Sequence, residues 1–121
     1  MKKILFTFIS FTLVNALLAG CGDADIEGVI IKGNENTVLV AENLTPNRYE
    51  EIKGDLSSNA DMFEAMKQEV RDTGGDISLI DFTYDDANEF EVGDHVNVWL
   101  KGGVNESFPA QAKARKISVK K

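Results

Sequence analysis

One cysteine and one histidine are all that the 121 residues offer of the two side chains most used for disulfides, nucleophilic attack and metal ligation. Cys21 has no partner to bridge to, so a fold exported to an oxidising exterior must stand on its hydrophobic core. His95 could be drawn into a triad with Ser107 or an aspartate. No glycine-flanked nucleophile elbow or oxyanion loop accompanies it, however, and the expectation is a protein that is not an enzyme, with no cofactor and no metal site. Basic residues are also scarce, 13 against 20 acidic ones, for a formal charge of −7. That balance argues against nucleic acid, whose binding rests on cations neutralising phosphates, and against flat docking on anionic lipid. Its ordinary consequence is solubility through self-repulsion.

The N-terminus supplies the clearest positive signal. Lys2 and Lys3 precede an apolar stretch, Ile4 to Leu18, and small residues follow before Cys21, which are the three parts of a secretory signal in order. The apolar stretch is 15 residues, about 22 Å of helix against roughly 30 Å of hydrocarbon, too short to span comfortably. Leu18-Ala19-Gly20-Cys21 reads as a lipobox, with Leu18, Ala19 and Gly20 as the signal peptidase recognition residues and Cys21 as the point of lipid attachment, such as diacylglyceryl and palmitate. A thioether-linked lipid would also consume the chain's lone thiol. The expected organisation is a signal peptide at 1–20, a lipidated cysteine with a short tether at 21–25, and one small domain at 26–121 with a helical insertion at about 45–75. Loss of Lys2 and Lys3 leaves 11 of the 13 basic residues facing 20 acidic ones, a mature charge of −9.

Asp23-Ala24-Asp25-Ile26-Glu27-Gly28 imitates the start of a calcium loop, but the closing position falls on Asn34 and the intervening residues read as a strand. Ile26 to Lys32 and Thr37 to Glu42, joined by Gly33-Asn34-Glu35-Asn36, form a predicted hairpin whose strands are covered on both faces for part of their length. Thr45-Pro46 is a good helix start, yet Gly54 and Asp55 cut the segment to a short helical turn. A stronger helix carries Met62, Phe63, Met66 and Val70 on one face, with Ser58 or Asn59 able to cap it and Gly74-Gly75 to close it.

Ile77 to Tyr84 alternates as a third strand. The acidic run Asp85 to Glu89 beside Asp81 reads as a solvated loop rather than a cation site. Val92-Gly93-Asp94 turns into a fourth strand, His95 to Leu100, ended by Gly102-Gly103, and a last strand spans about Gln111 to Val119. Ala110, Ala112 and Ala114 keep one parity and Ile117 and Val119 the other, which predicts a β-bulge near Arg115 or Lys116. The fold class expected is mainly β with one helix, a small partly open five-stranded barrel of the oligonucleotide/oligosaccharide-binding kind.

The segments Glu27-Gly28-Val29-Ile30, Val92 to Trp99, Glu106-Ser107-Phe108-Pro109-Ala110-Gln111-Ala112 and Lys116-Ile117-Ser118-Val119 together resemble the YobA-like lipoprotein family, small bacterial lipoproteins built on a domain of unknown function. The resemblance implies a lipid-anchored protein with a small β-rich domain and brings no catalytic residue. Trp99, grouped by parity with His95 and Asn97, is the one large apolar side chain on a polar strand face. Asn97, Trp99 and Phe108 are therefore the possible binding face, with Trp99 as an aromatic platform for a flat or sugar-like ligand. The function expected is a non-catalytic extracytoplasmic binding module held at the cell membrane by the bilayer-embedded acyl chains of Cys21, its partner a small ligand or a membrane-proximal protein. The alternative is a structural or envelope-associated protein that interacts with membrane proteins and has no small ligand.

Overall fold

The computed structural model describes residues 23–56 and 61–120. Leu18, Ala19, Gly20 and Cys21 lie outside the described residues, as do Ser58 and Asn59. Five strands, β1 (Ile26–Gly33), β2 (Thr37–Glu42), β3 (Ser78–Thr83), β4 (His95–Asn105) and β5 (Ala110–Val119), form a closed barrel in the order β1-β2-β3-β5-β4. Two helices, α1 (Pro46–Asp55) and α2 (Met62–Asp72), connect β2 to β3, and a 3-10 turn at Ala87–Glu89 lies between β3 and β4. No helix among the described residues is long and apolar enough to cross a membrane.

The barrel is closed rather than partly open because β1 pairs on both sides, through Gly28–Gly33 with β2 and through Ile26–Val29 with β4. Serving two neighbours requires β1 to bend sharply. Ile31 is the extra residue between the pairs Ile30↔Val40 and Lys32↔Leu39, a bulge that turns the strand. It also leaves Ile31 and Lys32 both facing outward, since Lys32 opposes the outward Leu39. Gly28 sits where β1 passes closest to β2, and a Cβ there would run into the Ala41 carbonyl.

Two cores share the barrel wall. Inside it, Ile30, Val38, Val40, Phe82, Val96 and Val98 are almost completely buried, joined by Ala112, Ala114 and Ile117 from β5. The register jumps from Trp99↔Lys116 to Leu100↔Ala114, leaving Arg115 as the bulged residue that returns Ile117 to the interior. Outside the wall, Val29, Ile31, Leu39, Ala41 and Leu79 meet Tyr49 and Ile52 of α1 and Met66 of α2. The hairpin strands are thus apolar on both faces, as parallel-sheet strands often are.

The second helix corrects the expectation of one. Thr45 accepts a hydrogen bond from the Arg48 N–H at 3.1 Å, and Pro46 opens α1. Gly54 falls in the last turn, where its cost is small, and packing of Tyr49 and Ile52 outweighs local propensity. Asp61 caps α2, accepting from the Phe63 N–H at 3.0 Å, and Gly74 and Gly75 follow its end with φ of 65° and 94°. Strand β4 runs on to Asn105 through Gly102 and Gly103, which form a second irregularity against β5 instead of a stop.

Arg48 joins the helices, donating to the Glu69 carboxylate at 2.6 and 3.0 Å. Glu69 is the one charged side chain buried among the described residues, and this pairing with the Arg48 guanidinium holds its carboxyl below the usual range. A carboxylate with a depressed folded value stabilises the fold fully above its ordinary value near 4.5, and that contribution disappears as pH falls through the folded value. Glu69→Gln should therefore lower unfolding free energy at pH 7 and flatten its decline between neutral and acid pH, as urea titrations across that range would read out. Gly28→Ala should cost about 1–3 kcal/mol with an unchanged denaturant slope, because overpacking strains the native state without altering the area exposed on unfolding.

Candidate functional site

The outer face of the barrel divides into a helix-covered sector and an open one. Strand alternation sends Lys32, Leu39 and Asp81 outward, and the ladder sets them side by side, since Leu39 opposes both Lys32 and Asp81. Helix α2 covers only part of this row. Phe63 at its first turn, Asn34 in the β1–β2 hairpin and Pro109 in the β4–β5 loop close the remainder into a cleft of about 170 Å³. This is well above the roughly 10–15 Å³ one water needs.

Chemically the cleft has an apolar floor and a polar rim. Leu39 and the Phe63 ring supply the floor, while Thr37, Asn34, Lys32 and Asp81 offer a hydroxyl, an amide, a cation and a carboxyl. Burial pushes the Asp81 carboxyl up from its ordinary value, opposed by the positive charge of Lys32. Lys67 lies over the Phe63 ring at 5.2 Å from its centroid. A surface of this kind can stack a ring on the aromatic and exchange hydrogen bonds at the rim.

The sequence-derived residues fall in two places. Asn97 and Trp99 share the outer face of β4, opposite Ser118 and Lys116 of β5, and the Lys116 ammonium stands 4.9 Å from the Trp99 ring centroid. Both are half-buried, and α2 packs on β1 and β3 rather than over them. Phe108 lies elsewhere, 60% exposed in the β4–β5 loop immediately before Pro109, to which it is joined by a cis peptide. Its loop opens β5 at Ala110, six residues before Lys116, so roughly 20 Å of strand separates it from Trp99. Phe108 therefore belongs beside the Pro109 cleft, and Asn97 with Trp99 form a different patch.

His95 meets Glu27 at 3.0 Å, and Lys120 donates to the other oxygen of the same carboxylate at 3.0 Å. These two partners hold the Glu27 carboxyl below its usual range, Lys120 contributing most. Ser107 lies past the far end of the eleven-residue β4 and donates its hydroxyl to the Pro109 carbonyl at 2.8 Å, so the structure does not bring His95 and Ser107 together. No group of three metal-ligating side chains is found among the described residues.

Sequence reasoning missed the cleft because four separated stretches build it: the hairpin from Lys32 to Leu39, Phe63, Asp81 and Pro109. One signal was available: Asp81 shares its strand face with Ile77 and Leu79, so an acid stands on a face otherwise meant for burial.

No curated protein and no solved structure matches the chain significantly. A family model does, over residues 27–120, a span that includes every strand but the first residue of β1 and both helices. The chain is therefore a member of the family described as protein of unknown function (DUF3221).

Proposed function

We propose that this protein is a non-catalytic binding module of the oligonucleotide/oligosaccharide-binding type, carried by a YobA-like lipoprotein anchored through Cys21 to the extracytoplasmic face of the cell membrane. The fold reading is supported by the strand order, with β1 closing on β4 and β3 pairing parallel with β5. In that fold the face of strands two and three, between the loop joining one to two and the loop joining four to five, receives the ligand. The single observation that carries the functional reading is the cleft's position: Thr37, Leu39 and Asp81 on β2 and β3, between Asn34 of the first loop and Pro109 of the last.

The usual helix between strands three and four is replaced by the short 3-10 turn at Ala87–Glu89, whose Ala87 joins Tyr84 and Phe90 against the inner core. The barrel stays filled, and ligand chemistry is confined to its outer face. A hydroxyl-rich ring suits this cleft, stacking on Phe63 and bonding to Asp81, Asn34 and Thr37. The acidic balance of the chain disfavours nucleic acid as the occupant.

Titration of the protein with a panel of neutral and N-acetylated oligosaccharides, followed by NMR, should shift the amides of Thr37, Leu39, Asp81 and Ala110. Phe63→Ala should weaken binding by about tenfold, the scale of a buried aromatic contact. Asp81→Asn should weaken binding and yet stabilise the fold at neutral pH. A carboxyl whose folded value is raised binds more protons in the folded state, so stability falls as pH rises through that value, and the amide removes the penalty. Saccharides that move no cleft resonance, or shifts confined to Asn97 and Trp99, would sink the cleft reading. Mass spectrometry of the mature N-terminus should find a diacylglyceryl-modified Cys21; a free thiol on a chain still beginning at Met1 refutes the anchor.

A further inference from the structure

Acidic residues outnumber basic ones by 20 to 13, yet none lies in β4 or β5. The eleven and ten residues of these strands contain Lys101, Lys113, Arg115 and Lys116 and not one carboxylate. Their register fixes the direction in which these cations point. Val96, Val98, Ala112, Ala114 and Ile117 fill the barrel, so alternation turns Asn97, Trp99 and Lys101 outward on β4, and Lys113 and Lys116 outward on β5. Arg115, the bulged residue, is exposed as well. The product is a strip of four exposed cations around a half-buried tryptophan, on the open sector of a barrel whose other sector is covered by the helices.

Lys101, Lys113 and Arg115 have no carboxylate within ion-pair distance among the described residues, although Asp85 and Asp86 border the same groove. The chain's point of entry into the barrel lies beside this strip. The Asp25 N–H donates to the Val98 carbonyl at 3.0 Å, and the Asp25 carboxylate accepts from the Leu100 N–H at 2.8 Å, flanking Trp99 on both sides along the strand. Cys21 is four residues earlier in sequence, within about 14 Å at full extension.

We propose that the β4–β5 strip docks on the bilayer surface, with phospholipid phosphates as the partners of Lys101, Lys113, Arg115 and Lys116 and with Trp99 at headgroup level. The proposal rests on the anchored reading of Cys21. A net charge of acidic sign does not forbid this contact, because charges beyond roughly 8 Å are largely screened at physiological salt and the bilayer responds to the nearest ones. Lysine, arginine and tryptophan are the side chains that favour the membrane interface. Tethering makes weak contacts sufficient, since the strip never leaves the lipid's vicinity. Strand β2 stands across the five-strand circle from the seam of β4 with β5. Docking therefore turns the cleft side away from the bilayer.

The test uses the full chain recovered from membranes in mild detergent and inserted into phosphatidylcholine vesicles with or without about 30% phosphatidylglycerol. Flotation reports the anchor. Quenching of Trp99, the only tryptophan, by lipids brominated in their acyl chains reports docking. Strong quenching is expected in the anionic vesicles, falling severalfold at high salt, and Arg115→Glu with Lys116→Glu should lower the docking equilibrium by at least roughly tenfold. Lys53→Glu on α1 should leave it unchanged. The salt series on the unaltered chain decides the matter even where charge reversal damages the fold. A chain that floats with the vesicles but whose Trp99 escapes lipid quenching, or is quenched regardless of salt, overturns docking and leaves the anchor standing. A chain that fails to float overturns both.

Discussion

Everything in this molecule depends on β1 being hydrogen-bonded along both edges. A five-stranded sheet left open would expose two rows of unpaired backbone groups, each an invitation to pair with another chain. Closure removes both rows and encloses an apolar interior in which Val, Ile and Phe side chains predominate. The demand falls on one strand, which must turn from β4 to β2 within eight residues, and it is met by a glycine at the tightest approach and a bulge at Ile31. Ordinary alternation along β1 directs Val29 and Ile31 outward while Ile30 points in. With apolar residues on both parities the closing strand has a second apolar face, and that face needs a cover.

The helices are that cover, which explains why they follow β2 and pack over β1 to β3 alone. Tyr49, Ile52 and Met66 bury the outer face of the first three strands, and the Arg48–Glu69 pair fastens the two helices to each other. Strands β4 and β5 carry mainly polar and cationic residues outward, with Trp99 the large apolar exception, and no helix is packed over them. The outer surface is consequently divided by chemistry: an apolar sector under the helices, a cleft where that layer ends, and a cationic ribbon whose two strands contain no acidic residue.

Local features of this fold were legible because local chemistry dictates them. The hairpin at Gly33 to Asn36, the apolar face of α2 and the glycines that end it each arise from a few adjacent residues. The bulge at Arg115 was legible for a similar reason, since the switch of parity between Ala114 and Ile117 has no other economical cause. Barrel closure was not, because pairing of β1 with β4 joins segments almost 70 residues apart and leaves no mark on either beyond Gly28. Helix α1 was hidden by Gly54, whose weight in a propensity sum is large and whose position at the helix end makes its effect small. Grouping Phe108 with Trp99 failed on a different ground. Alternation tells which face a side chain occupies, and says nothing of how far along the strand it lies.

Asp81 ties these sectors together. A carboxylate on a strand face that otherwise carries Leu79 and Ile77 is disfavoured by burial, and its raised pKa expresses that cost. Lys32 offsets the cost from two strands away, across Leu39. An apolar residue at this position would extend the outer core and let α2 settle over the whole row, filling the cleft with protein. The acid keeps that end of the layer open. Polar groups retained against folding stability commonly mark sites that contact something other than the protein itself. On the proposed orientation, the cationic ribbon would hold this opening away from the lipid, so that the side of the barrel without a helical cover is the side a membrane can approach.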